Sequence, residues 1–283
     1  MFGSHLSIAG GMHNALLAAE SHGCDTVQVF TKNQQQWKCK PLDPKAIADW
    51  KQHLRRLKFK RTVSHDSYLI NVASPDDRLW NASVALLADE ISRCEALEIP
   101  YLVMHPGAHM GSGEEAGLKR VAKGIDAACA AAGGRNAIVC LEITAGQGSS
   151  LGYRLEHLAE IISASNVPEK LGVCLDTAHL FAAGYDFRGA KYARFRRDLG
   201  RIVGLKRVKV WHLNDSKKEL GSRVDRHDHI GRGKIGVEGF IPIVRDEVFT
   251  NVPKILETPK EKEPQSGRPW DEVNLEVLRG MMR

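Results

Sequence analysis

A single (β/α)8 barrel, the TIM-barrel form of the α/β class, is the fold that the sequence predicts across residues 1–283. Three observations predict it. Short apolar or β-branched runs recur eight times along the chain. Segments of helical periodicity fill the intervals between them. Six of the eight runs end in His, Asp or Glu, and a parallel barrel gathers such strand ends at one mouth.

The first strand-like run, 2–8, is broken by Gly10-Gly11 and leads into a helical pattern over 14–21. The run 26–30 precedes a helix over 44–57, and 62–64 precedes one over 80–97. Residues 101–104 lead to a helix over 118–132, which Gly133-Gly134 separates from the run 137–141. A helix over 155–163 comes next, then the run 171–175, a helix over 191–203 and the run 208–213. Residues 213–236 are polar, Gly-rich and aperiodic, and are expected to form one long loop of the kind that usually carries function. A helix over 237–246, the run 252–256 and a helix over 270–281 complete the pattern.

Composition narrows the class. A hydrophobic fraction of 43% with 26% charged residues allows a sizeable core and excludes fibrous and disordered chains. Lys and Arg number 40 against 34 Asp and Glu, and the resulting +6 is compatible with a polyanionic partner without requiring one. The N-terminus shows no basic stretch followed by an apolar one, and no apolar run approaches membrane-spanning length. The six Cys contain no Cys-x-x-Cys pair, which excludes a zinc knuckle and a disulfide framework. A reducing, cytoplasmic setting with access to DNA is therefore expected, with Cys140 and Cys174 acting as small buried hydrophobes.

The chemistry resides in the strand ends. His65, His105, Glu142, Asp176, His212 and Glu257 terminate six of the apolar runs. His179 lies three residues after Asp176, and Asp225 and His227 lie in the long loop, bringing the total to nine. Imidazole and carboxylate are the usual zinc ligands where thiolates are absent. Nine such donors exceed one tetrahedral ion and suit a cluster of two or three, the standard device for phosphoester hydrolysis. Among the other histidines, His13, His22, His53 and His157 read as solvated surface groups. His5, His109 and His229 are candidates for orienting a ligand or a phosphate oxygen.

Three segments carry a family resemblance. His65-Asp66-Ser67-Tyr68-Leu69-Ile70-Asn71-Val72-Ala73, Gly172-Val173-Cys174-Leu175-Asp176-Thr177-Ala178-His179 and His212-Leu213-Asn214-Asp215-Ser216-Lys217, the last continuing to Asp225-Arg226-His227, resemble the signatures of the endonuclease IV family. Phe30-Thr31-Lys32-Asn33-Gln34, His105-Pro106-Gly107, Thr144-Ala145-Gly146-Gln147-Gly148 and Glu257-Thr258 add to it. The resemblance implies a zinc-dependent apurinic/apyrimidinic endonuclease of base excision repair. Such an enzyme cuts the phosphodiester 5′ to an abasic site in double-stranded DNA, leaving a 3′-hydroxyl and a 5′-deoxyribose phosphate, and also trims blocked 3′ ends.

By the same resemblance, three Zn2+ are expected per chain. His65 and His105 would hold one, Asp176, His212 and Glu257 a second, with Glu142 bridging the two as the catalytic carboxylate, and His179, Asp225 and His227 the third. Tyr68 and Leu69 map to the family's DNA-penetrating loop, and Arg226 to a phosphate contact. The chain departs from the family at Gln35, in the DNA-facing first loop, where an Arg is expected, and at Ile143, where Asn often comes after the bridging Glu. A monomer would suffice. The rival enzyme class is a sugar isomerase or epimerase on a related barrel, which needs one or two divalent ions and a base; a non-catalytic binder of damaged DNA is the other alternative.

Overall fold

A computed structural model of the chain describes residues 1–134 and 136–282. Among these, eight parallel strands close into a barrel in the order β1-β10-β7-β6-β5-β4-β3-β2. They are β1 (Phe2–His5), β2 (Thr26–Val29), β3 (Val63–His65), β4 (Tyr101–Met104), β5 (Ile138–Glu142), β6 (Leu171–Asp176), β7 (Val208–His212) and β10 (Lys254–Leu256). The barrel closes between the first and last strands, with Gly3 opposite Ile255. The predicted eight runs and their order are all present. The first is shorter than its apolar run, because the backbone leaves the barrel after His5.

Helices α1 (Met12–Ser21), α2 (Pro44–Leu57), α3 (Asp77–Leu97), α4 (Glu114–Ala132) and α5 (Leu155–Ala164) cover the first half of the barrel. Each buries one apolar stripe against the strands, represented by Leu16, Trp50, Leu87, Ile125 and Leu158, all wholly buried. Two of these helix starts are marked by side-chain acceptors: Asp43 receives the Lys45 N–H at 2.9 Å ahead of Pro44, and Asp76 receives that of Leu79 at 2.9 Å. The second half is covered by α6 (Thr177–Ala182), α7 (Tyr192–Ile202), α8 (Val237–Arg245) and α9 (Trp270–Gly280). Helix α6 has only 6 residues, too few to show a period in the sequence.

Two departures concern loops and surface. The segment 213–236 is not structureless: β8 (Asp215–Ser216) pairs antiparallel with β9 (His227–Asp228) inside it. His157, expected at the surface, is 3% exposed, because α5 turns it inward, where its Nδ1 accepts the Gly152 N–H at 3.3 Å and its Nε2 faces Glu114 at 3.3 Å. His13 and His53 stack on one another at 5.3 Å, and His22 pairs with Glu272 at 3.2 Å; these three are half-buried rather than fully solvated. All six cysteines are unbridged. Among the described residues no helix is long and apolar enough to cross a membrane.

The barrel interior explains how the site is placed. Val63, Val103, Cys140, Cys174, Val210 and Ile255 are fully buried and form one cluster. Side chains alternate between the two faces of a strand. The residue two positions further along each of these strands therefore also points to the axis, one layer nearer the mouth. Those residues are His65, His105, Glu142, Asp176, His212 and Glu257. An apolar floor thus lies directly beneath six of the nine predicted donors.

Candidate metal centre

The strand register brings the donors level. Glu142 is opposite Cys174 and Asp176 opposite His212, after a register shift between Val173 and Cys174. Glu142 is completely buried, and four imidazoles face it: His65 Nε2 at 3.1 Å, His105 Nε2 at 3.3 Å, His179 Nδ1 at 3.2 Å and His212 Nδ1 at 3.0 Å. Glu257 Oε2 lies 3.1 Å from the same nitrogen of His212. Donor atoms of Glu142, Asp176, His212 and Glu257 all fall within 4.8 Å of one another, as do those of His65, His105 and Glu142, and those of Asp176, His179 and His227. Asp225 joins the last group, its oxygens 3.2 Å from Nε2 of His179 and 3.2 Å from Nε2 of His227. All nine residues singled out in the sequence are brought together.

The remaining ring nitrogens fix the tautomers. Nδ1 of His65 lies 3.0 Å from the Asp66 carbonyl, Nδ1 of His179 2.9 Å from that of Ile143, and Nδ1 of His227 3.2 Å from that of Glu257. A carbonyl only accepts, so in each ring Nδ1 carries a proton and Nε2 is the nitrogen turned to the centre, its lone pair available once a cation replaces the proton. His212 is reversed: its Nε2 donates to Gln28 Oε1 at 2.8 Å and its Nδ1 faces the carboxylates. Nε2 of His227 is buried without a hydrogen bond, although Asp225 and Asp176 oxygens lie 3.2 and 3.7 Å away. Lone pairs aimed at shared space beside carboxylate oxygens are a donor set that fits zinc.

Electrostatics agree. Burial works against the charge on Glu142, but His212, His105 and His179 outweigh it and hold its carboxyl well below the ordinary range. Glu257 is likewise depressed against burial, chiefly by His212 and His5. Burial opposes charge on His227 as well, yet Asp176 and Asp225 push it up to about 9. His179 is raised well above its usual value, with Asp176 and Asp225 overcoming burial. The cluster therefore demands compensating positive charge, which protons supply to the bare protein and cations would supply to the loaded one.

Several positioning groups were not anticipated. Gln28, wholly buried on β2, donates to Glu257 Oε1 at 2.6 Å and accepts from His212. Its signal was a lone amide within the apolar run Thr26-Val27-Gln28-Val29-Phe30. Asn214 donates to Asp176 Oδ2 at 2.6 Å and accepts the Glu257 N–H at 2.8 Å, locking two candidate donors together. Asp176 also accepts the His179 N–H at 2.8 Å, capping α6. The Ile143 side chain is fully buried, and its backbone carbonyl supplies the hydrogen bond to His179. His5 stands behind Glu257 at 3.5 Å, in the orienting role expected of it. His109 accepts the Gly111 and Gly113 N–H groups of its own loop at 3.2 Å through Nδ1, and His229 stacks on Trp270 at 3.8 Å with its Nε2 buried and without a hydrogen bond.

Above the donors the surface is grooved. A hollow of about 540 Å3 is lined by Tyr68, Asn71, His105, Gly146, His179 and Asp225, and a second of about 430 Å3 by His5, Phe30, Tyr68, Arg226, Glu257 and Lys260. Tyr68 is the ridge between them, 67% exposed, with its ring 5.7 Å from Phe30. Leu69 is half-buried and packs on the core. Gln35 is exposed on the neighbouring loop, whose Gln34 carbonyl accepts the Ser67 hydroxyl at 2.6 Å. Arg226 is exposed between the candidate donors Asp225 and His227.

A barrel enzyme with a cluster of candidate metal donors at its mouth is the class that this geometry defines, and comparison with known proteins makes it specific. A family model described as xylose isomerase-like TIM barrel matches residues 16–280. A probable endonuclease 4 of Chloroflexus aurantiacus is 50% identical over 283 residues, covering 100% of this chain and 98% of the relative. The crystal structure of endonuclease IV from Thermus thermophilus superposes with a TM-score of 0.87 at 37% identity, covering 99% of this chain and 98% of that one. A D-tagatose 3-epimerase-like protein, 20% identical with a TM-score of 0.73 and coverage of 99% and 97%, shares the fold. The chain belongs to the endonuclease IV family.

Proposed function

We propose that the chain is a zinc-dependent apurinic/apyrimidinic endonuclease of base excision repair. It hydrolyses the phosphodiester 5′ to an abasic site in duplex DNA, leaving a 3′-hydroxyl and a 5′-deoxyribose phosphate, and clears blocked 3′ ends. The observation that carries this reading is the convergence of nine imidazole and carboxylate donors at one barrel mouth beneath an exposed aromatic ridge. Three zinc subsites account for the donors: His65, His105 and Glu142; Glu142, Asp176, His212 and Glu257; and His179, Asp225 and His227. Bound zinc supplies Lewis acidity that activates water and neutralises charge on phosphate oxygens.

The chain's own residues do the rest. Glu142 ties the subsites together from a fully dry position. Tyr68 rises between the hollows where a wedge beside a missing base would stand, and Leu69 buttresses it. An abasic nucleotide has no base to unstack, so turning it toward the donors costs less than flipping an intact one. Arg226, Lys217 and Lys218, all exposed, meet phosphates. Gln35 offers the DNA a neutral amide where the family's usual arginine would add a cation. One copy holds every donor, so a monomer suffices; in this reading residues 1–283 are one domain acting in the cytoplasm.

The test is direct. Purified protein is incubated with a duplex carrying one abasic analogue, with and without a strong chelator, and the cut is mapped. Incision immediately 5′ to the lesion, lost on prolonged chelation and restored by zinc, is expected. An uncut duplex in zinc-loaded protein overturns the reading.

A further inference from the structure

The segment that carries Asp225 and His227 is not part of the barrel, and one buried carboxylate among its anchors ties its two ends together. Asp215 is completely buried at the start of β8. Its Oδ1 accepts the N–H of Ser216 at 2.8 Å and of Ile235 at 2.9 Å; its Oδ2 accepts those of Gly231 at 2.9 Å and Gly236 at 3.3 Å. One carboxylate therefore gathers backbone amides from both ends of the excursion between β7 and α8. The cradle is tight: a Cβ on Gly233 would lie 2.4 Å from the Ser216 carbonyl oxygen and 2.5 Å from Asp215 Oδ1. Around it, Lys234 N–H donates to the Ser216 carbonyl at 2.7 Å and Lys217 N–H to that of Arg226 at 2.9 Å, beside the register Ser216 opposite His227.

We infer that Asp215 is a positioning residue for one metal subsite: by closing the 213–236 excursion on itself, it sets Asp225 and His227 against Asp176 and His179. Of the other donors, six stand on barrel strands or directly after them and His179 stands on α6, all outside the loop that this clasp closes. Occupancy of the third subsite is thus separable from that of the other two. This inference rests on the three-zinc reading above and deepens it.

Asp215→Asn is nearly isosteric, but its amide keeps one accepting oxygen and turns an NH2 toward two backbone donors. Wild type and variant are loaded with zinc, desalted and assayed for zinc per chain by mass spectrometry, with melting temperature and steady-state kinetics measured alongside. Expected are three ions in the wild type and two in the variant, with KM nearly unchanged and kcat lowered about 10- to 100-fold. Gly233→Ala crowds the same cradle from the other side and should give the same loss, which keeps the inference testable if Asp215→Asn does not fold. Three ions retained in a folded variant, or all three lost together, overturns it. A wild type with fewer than three ions instead overturns the three-zinc reading itself.

Discussion

Replacement of Glu142 by Gln isolates the contribution of the buried carboxylate that four imidazoles face. The side chain keeps its size in a site with no access to solvent, while one of its oxygens becomes an NH2 and its negative charge disappears. Four imidazole nitrogens between 3.0 and 3.3 Å lose their common counter-charge. Removing one partner from a buried charged set costs about 3–5 kcal/mol. At about 1.4 kcal/mol per tenfold, this corresponds to a rate loss of about 140- to 3,700-fold if it falls on the transition state. Because Glu142 reaches no surface, the affinity for abasic duplex should stay within about threefold, a change of under 1 kcal/mol. Single-turnover nicking of a duplex with one tetrahydrofuran site, paired with a gel-shift titration, measures both. Nicking within tenfold of wild type, or a loss of binding as large as the loss of rate, refutes the reasoning.

Other perturbations address different parts of the site. Tyr68→Ala should weaken binding to abasic duplex by about 5- to 150-fold, the equivalent of about 1–3 kcal/mol of base–aromatic stacking, and leave binding to intact duplex nearly unchanged. Equal losses on both duplexes would remove Tyr68 from lesion recognition. Arg226→Ala should lower the slope of log affinity against log salt by about 1, and an unchanged slope would show that the side chain meets no phosphate. In chelated protein, His227, driven up to about 9 by Asp176 and Asp225 against burial, stabilises the fold fully below its unfolded value of about 6.5 and loses that contribution as pH rises through 9. His179 adds to the same trend. The melting temperature of chelated protein should therefore fall between about pH 7 and 9.5, while zinc-loaded protein stays flatter. A chelated sample whose melting temperature rises over that window contradicts the assignment.

Much of this was legible because barrel strands are short and each ends in something chemically distinct. His65, His105, Glu142, Asp176, His212 and Glu257 could be found by asking which residue closes each apolar run, since alternation and closure turn those six positions into a neighbourhood. Gln28 was harder to see: it lies inside a strand rather than at its end, and its role depends on two residues more than 180 positions away, His212 and Glu257. Helix α6 and the β8–β9 pair escaped because 6- and 2-residue elements carry no period. His157 was misread because helical position alone does not say which face is inward when the partner, Glu114, belongs to another helix. The exposure of Tyr68 beside the half-buried Leu69 also needed coordinates, since adjacent loop residues share no fixed relation to the core.

The barrel itself does not choose between phosphoester hydrolysis and sugar epimerisation, and the surplus of donors is what decides. A site for proton transfer on a sugar could be built from Glu142, Asp176, His212 and Glu257 alone, around one divalent ion. This chain adds His65 and His105 on one side and His179, Asp225 and His227 on the other. Four carboxylates with five neutral imidazoles would carry four uncompensated negative charges at the barrel mouth, a heavy desolvation cost unless cations or protons balance them. One divalent ion leaves half of that charge in place; three more than balance it, leaving net positive charge to receive a phosphodiester anion. Zinc content after loading and desalting is therefore the deciding measurement: about three per chain fits the nuclease reading, and a single ion in active protein would move the argument to the epimerases.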